Sequence, residues 1–369
     1  VSTKQNKKIH LKNKNMTTDY LELVSMIIED QLSLEAFIRL SGVDQDSAEA
    51  ELQRLAPVVQ TFTTDPKPIY FFKSYDYPNL GHLFHCTKLF TFAHGGSPYK
   101  DGAQSQYDTR KDCPYIQAAV YDNSKGAFIT GLRFLPLSKI SSFDMSVMNS
   151  LHHPTDIFKE HYIHNTVEIG QTFVSPEAGA TAPNYLFNTM SAVIAANKDA
   201  RYLSGKPTIE GRIPDISKEI ISAFAYDTFH PLQNNEFNPS GKPLFLVVDG
   251  IVQPKLRSLS EIVHQYNLDV GDQHPQLEYL TQMPIQKKRK LTEKLLVYYG
   301  GALPPMFKFY AVLTEENGMI VLAQSVINPV YTTQAWEFPI LLDKLKIVPV
   351  YRRLIDQYVE YFKDKAIQF

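Results

Sequence analysis

Apolar residues recur along this chain with two periods, one helical and one of strand type, and the switch between them divides the sequence. Between positions 17 and 57 the spacing is helical. Leu21, Val24, Ile27 and Ile28 recur on one face, and Ser33 is an N-cap with Glu35 and then Phe37, Ile38 and Leu40 behind it. Gly42 is a stop signal, and Asp46 or Ser47 opens a further helix that runs to Leu55. Strand signals follow. Ile69–Lys73 is β-rich, Asn79–Phe92 is predicted helical, and Tyr115–Tyr121 and Ala127–Leu135 flank the turn Asp122–Gly126 as a hairpin. Phe158–His164 leads into a strand at Val167–Val174. Asn184–Lys198 is an amphipathic helix with Leu186, Met190, Val193 and Ile194 on one side. Arg201–Ser204 is a strand, and Ile216–Phe229 a helix.

Strands and helices alternate only in the second half of this order, which predicts a mixed α/β (α+β) sheet and not a doubly wound parallel one. The polar stretch Asn234–Pro243, with Pro239 and Gly241, is a boundary. Behind it come helices over 256–300, a helix from Pro304, strands at Met319–Ile327 and Trp336–Leu342, and an amphipathic helix at Tyr351–Lys363. The expected organisation is a disordered arm (1–16), a small helical segment (17–60), a core (66–235), and a helical addition with closing strands packed on that core (236–369).

Composition narrows the function classes. With 369 residues, 44% hydrophobic and 21% charged, the chain can bury a large core, and a net charge of −2 does not suit a general nucleic-acid binder. The helix–Gly–helix pattern near Gly42 invites a DNA-binding reading, but its second helix, Asp46–Arg54, is acidic and offers little to phosphates. Cys86 and Cys113 are the only cysteines, which gives no disulfide framework and no CxxC zinc spacing. This favours a reducing, cytoplasmic setting. The first 20 residues are polar and basic with no apolar signal region. The charge-free run between Glu316 and Glu337 is broken by Gln324, Ser325, Asn328 and Pro329, so no membrane span is expected.

The candidate chemistry centres on Asn165–Glu177, a buried strand with one carboxylate, Glu168, that ends at Pro176 and opens into the small-residue loop Ala178–Pro183 before a helix. Such a strand can turn backbone N–H groups toward a thioester. Four stretches then carry a resemblance. They are Gly131-Leu132-Arg133-Phe134-Leu135-Pro136, Glu168-Ile169-Gly170-Gln171-Thr172-Phe173-Val174, Tyr202-Leu203-Ser204-Gly205 with Ser217-Lys218-Glu219-Ile220, and Leu303-Pro304-Pro305-Met306. Their order and spacing, over roughly residues 66–355, resemble the GNAT-fold N-acyltransferases. The nearest branch is the hemolysin-like one that includes the ornithine-lipid N-acyltransferases and is related to the acyl-homoserine-lactone synthases. The resemblance implies a GNAT-like, mostly antiparallel sheet flanked by helices. It implies Glu168, Arg133 and the Asp108 of Tyr107-Asp108 as the charged set, with Lys88 in the place of an early arginine. The chain departs from the family where Gln171 stands for an arginine three residues after the glutamate.

Acyl transfer to nitrogen needs a proton acceptor, donors for the thioester oxygen, and two substrates held close. Glu168 is the expected base. The N–H groups near Phe173, Val174 and Ser175 are the expected oxyanion donors. Arg133 and Lys88 can hold an acceptor carboxylate or a pantetheine phosphate, Asp108 can orient an amine or one of these cations, and Phe134 and Phe173 can line an acyl tunnel. Arg133 paired with Asp108 or Glu168 can equally be a buried ion pair that only fixes the core. The resemblance implies a bacterial lipid-biosynthesis enzyme of aminolipid type. It would move a fatty acyl chain from an acyl carrier protein thioester, or acyl-CoA, to an amino acid or small amine, with possible peripheral contact at the inner membrane. The loop Pro176–Pro183 lacks the leading basic residue and second glycine of a coenzyme A cradle, which favours the carrier protein. Lys287, Lys288, Arg289 and Lys290 are a candidate patch for it, or a solvated helix face. No bound cofactor and no metal are expected; His161 and His164, three apart, share a face if helical but have no completing ligand. Gln171 keeps open a non-catalytic acyl-binding or scaffold protein, and a signal synthase is a third reading.

Overall fold

In a computed structural model of the chain, the described residues are 20–100, 109–142, 146–229, 242–255, 257–265, 283–304, 307, 310, 313–315 and 318–365. The expected arm (1–16), most of the boundary at Asn234–Pro243, and Asp108 lie outside them.

The helical segment is α1 (Tyr20–Ile28), α2 (Leu34–Leu40) and α3 (Gln45–Arg54). Its helix ends follow local chemistry. The Ala36 N–H donates to the Ser33 hydroxyl at 3.2 Å and the Ser47 N–H to Asp44 Oδ1 at 3.0 Å, so orphan donors at both N-termini are filled. Asp44 is thus the cap of α3, not the expected Asp46 or Ser47. Strands β1 (Val59–Gln60) and β2 (Pro68–Phe72) precede α4 (Pro78–His94). Helix α4 is buried nearly all round, because α1–α3 cover its outer side and the sheet its inner side. Buried Glu51 of α3 meets its N-terminus, accepting from the Leu80 N–H and from Asn79 Nδ2, both at 2.8 Å. An anion there satisfies helix donors and opposes the positive end of the helix dipole.

The predicted hairpin is β3 (Ile116–Asp122) and β4 (Ala127–Pro136). After it come β5 (His152–Pro154), α5 (Asp156–His161), β6 (Thr166–Val174), α6 (Ala182–Ala196), β7 (Tyr202–Gly205), β8 (Thr208–Ile209) and α7 (Asp215–Thr228). The remainder is β9 (Phe245–Val247), α8 (Leu259–Gln265), α9 (Ile285–Tyr298), β10 (Met319–Val321), β11 (Val326–Ile327), β12 (Trp336–Glu337), β13 (Ile340–Asp343) and α10 (Pro349–Phe362). Where two closing strands were expected there are four short ones. The chain breaks at the polar Gln324–Ser325 and at Pro339, which has no N–H for a ladder.

Among the described residues, eight strands pair in the order β1-β2-β3-β4-β6-β7-β13-β10, and only β6 and β7 run parallel. The sheet is therefore mixed, as the element order predicted, and mostly antiparallel. Strands β10 and β13 come from the C-terminal block, so that block completes the sheet begun by the core. Small sheets β11-β12-β8 and β5-β9 flank it. One face, with Leu132, Phe134, Val167, Ile169 and Leu203, packs on α6, α7, α9 and α10; the other carries Ala119 and Phe173 against α1–α4. Asn188 of α6 ties three segments together: its Oδ1 accepts from the Tyr358 hydroxyl of α10 at 2.6 Å and from the Phe62 N–H at 2.8 Å. Among the described residues, no helix is long and apolar enough to cross a membrane.

Candidate active site

Strands β6 and β7 pair for only three residues, from Thr166↔Tyr202 to Glu168↔Ser204, and then part. At Gly205 β7 is still so near β6 that a Cβ would meet the Ile169 carbonyl oxygen at 2.8 Å. Two local features then make them part. Pro207 follows and has no ladder donor. On β6, Gln171 takes a left-handed backbone at φ +49°, and the register with β4 slips so that Leu132 faces both Gln171 and Thr172. That is a bulge, which bends the strand that carries it.

A cleft of about 560 Å³ occupies the opening. Glu168 and Ile169 both line it, although neighbours on a strand stand on opposite faces, so the cleft passes through the sheet. One end is polar, with Arg133, Glu168, Lys206, Asn328, Tyr331 and Glu337; the other is apolar, with Ile169, Pro183, Leu186, Phe187, Met190 and Tyr310.

Glu168 and Arg133 share a face, because Leu135 pairs with Glu168 and Arg133 with Gly170. A Cβ at Gly170 would stand 3.8 Å from Arg133 Nε, an ordinary contact, so the two lie side by side. The Arg133 guanidinium lies over the Tyr115 ring at 4.1 Å, and the Tyr115 hydroxyl donates to Glu168 Oε1 at 2.8 Å. The Ser146 hydroxyl donates to Glu168 Oε2. A buried carboxylate is tolerated when it is hydrogen-bonded in this way.

Sequence reasoning missed the other half of the polar end. Lys206, just after β7, has its Nζ 3.7 Å from Glu337 Oε2 on β12 and donates to Ser150 Oγ at 3.3 Å. Glu337 also accepts from Thr208 Oγ1 at 2.9 Å, Asn328 Nδ2 at 2.9 Å and the Tyr331 hydroxyl at 3.1 Å. Burial lowers the Lys206 pKa, Glu337 and Glu168 work against that, and Arg133 adds to it. Burial above all, then the Glu337 charge, holds the Tyr331 phenol well above its ordinary value. The available signals were slight: Lys206 follows the glycine of a quoted stretch, and Glu337 is a carboxylate next to the single tryptophan.

The expected binding residues separate into groups. Gln171, Phe173 and Val174 line the cleft, and Phe173 also packs edge-on against Phe84 at 5.2 Å. Ser175 is corrected as an oxyanion donor, because its N–H donates to the Ile129 carbonyl of β4 at 2.9 Å. By strand alternation the Val174 N–H points the other way, into the opening. Phe134 is corrected too: it stands on the face opposite Arg133, fully buried, with Phe71 at 5.3 Å. Lys88 is buried on α4 outside the cleft wall, where its ammonium donates to Gln171 Oε1 and so supports the bulge. His161 ends α5 while His164 lies in the following 3-10 turn, so they do not share a helix face, and both are exposed. On α9, Lys288 is buried between the exposed Lys287 and Lys290, which breaks the expected basic patch. The carboxylate of Glu177 accepts from the Leu34 N–H at 2.9 Å, tying the loop after β6 to the start of α2.

No family model matches the chain, and no curated protein and no solved structure matches it.

Proposed function

We propose that this protein is an N-acyltransferase of GNAT type that moves a fatty acyl group from a carrier-protein or coenzyme A thioester to the amine of an amino acid or small amine. The observation that carries the reading is the cleft between the parting strands β6 and β7, apolar at one end and lined by Glu168 and Arg133 at the other. An acyl thioester has the same polarity, a long apolar chain ending in one reacting carbonyl. Glu168 takes the proton that the attacking amine loses. The Val174 N–H, freed from the β4 ladder by strand alternation, is available to the thioester oxygen. Arg133, stacked on Tyr115, fixes the orientation of the Glu168 neighbourhood. Carrier protein as the donor, lipid biosynthesis and contact with a membrane surface belong to the same proposal.

A second reading, a non-catalytic acyl-binding protein, is favoured by Gln171, whose side-chain oxygen is engaged by Lys88. One assay separates the two. Purified protein is incubated with palmitoyl thioesters of acyl carrier protein and of coenzyme A, with and without a pool of amino acids and diamines, and free thiol is followed. Amine-dependent thiol release that falls by about 100-fold or more in Glu168→Gln is the expected result. Acyl binding without release overturns catalysis.

A further inference from the structure

We infer that Lys206 is a catalytic residue of this cleft, an ammonium that stabilises the negative charge developing on the thioester oxygen from the side of β7. This rests on the acyl-transfer reading and adds to it a residue that the sequence motifs do not single out. Its position carries the inference. Glu168 and Ser204 are the last pair before β6 and β7 part, and Lys206, two residues on, lies at the β7 edge of the opening. Lys206 lines the cleft together with Glu168 and Arg133. Its ammonium is held by Glu337 at 3.7 Å, itself on the cleft wall, and by Ser150 at 3.3 Å. Glu337 in turn is fixed by Thr208, Asn328 and Tyr331, so the carboxylate that anchors the cation is itself rigid. Charge held in place by such a network is preorganised and need not reorganise during the reaction. The two lips of the opening then have different tasks. Strand β6 supplies the proton acceptor and a backbone donor, and the residue after β7 supplies the cation.

The step balances as follows. The amine lone pair forms the C–N bond and the carbonyl π pair moves onto oxygen beside Lys206. That pair returns as the C–S bond breaks, the thiolate leaves with the sulfur electrons, and the proton lost by nitrogen goes to Glu168 and on to the thiolate. Lys206 exchanges no proton in this sequence.

The test uses the full chain, palmitoyl thioesters of carrier protein and coenzyme A, and a palmityl thioether of coenzyme A that binds without reacting. Lys206→Met is expected to lower kcat by about 100-fold while the thioether Kd stays within about twofold, and Lys206→Arg to recover at least about a tenth of the rate. Lys206→Met leaves Glu337 buried without its cation, so the double variant Lys206→Met with Glu337→Gln, which removes both charges, is measured beside it. Turnover in the double variant within about threefold of the unchanged protein overturns the inference, as does a rate loss matched by an equal rise in the thioether Kd. No transfer by the unchanged protein overturns the acyl-transfer reading itself, and Lys206 with it.

Discussion

His152 on β5 is fully buried, and its Nε2 lies 3.1 Å from the Gln324 carbonyl oxygen, so the neutral ring carries its proton on that nitrogen. Burial lowers its pKa to about 4, with the Gln324 bond opposing and the Lys206 charge adding. The unfolded chain takes up the proton near the ordinary value of 6.5. A depressed histidine pKa means that the unfolded state binds more protons in this window. The stability held by neutral His152 is therefore fully present above pH 6.5 and lost as pH falls toward about 4. The loss amounts to about 3 kcal/mol. Denaturant midpoints measured across this range should fall more steeply in the unchanged protein than in His152→Gln; parallel curves would refute the assignment. At this scale the sequence was informative where a residue contradicted its surroundings. Glu168 and Arg133 stood out as charges inside apolar strands, and they do stand on one face of the sheet, each in contact with Tyr115. Ser175 and Phe134 were misassigned because the direction of an N–H or a ring depends on register, which a single strand does not reveal.

Among the elements, the parting of β6 and β7 decides where a cleft can form. Gly205 and Gly170 sit on either side of it with opposite tolerances. A methyl group at 205 would meet the Ile169 carbonyl oxygen at 2.8 Å, whereas one at 170 meets nothing nearer than Arg133 Nε at 3.8 Å. Gly205→Ala must push β7 off β6 and is expected to cost about 2 kcal/mol, while Gly170→Ala is expected within about 0.5 kcal/mol of the unchanged protein. Chemical denaturation of the pair checks this, and equal stabilities would show that the contact at 205 relaxes freely. The hairpin β3–β4 was legible from its turn. The closing strands were not, because runs as short as Val326–Ile327 carry no period and take their partners from whichever edge lies near.

The whole molecule buries both of its cysteines, Cys86 on α4 within the α1–α4 layer and Cys113 in the cluster around Tyr115 and Phe158. Burial pushes the Cys86 thiol up to about 12, so almost no thiolate exists there at neutral pH. An aromatic disulfide reagent should leave both thiols unmodified on the time of hand mixing in native buffer and titrate both in denaturant. Prompt native labelling of Cys86 would mean that the α1–α4 layer opens far below global unfolding. The mixed sheet with helices on both faces was legible at this scale, since the alternation of strand and helix signals confines the chain to few layer arrangements.

The sequence by itself determined the local elements, the mixed sheet and the carboxylate within a buried strand, because periodicity, caps and turns act over a few neighbouring residues. Only the tertiary structure decided how the strands outside the β3–β4 hairpin pair, that Ser175 is spent on the β4 ladder, and that Lys206 and Glu337 join Glu168 and Arg133 at one end of the cleft. Those four side chains come from β4, β6, the turn after β7 and β12, stretches far apart along the chain. What brings them together is the burial of two apolar faces of one sheet, a driving force without direction that leaves no mark at the individual positions.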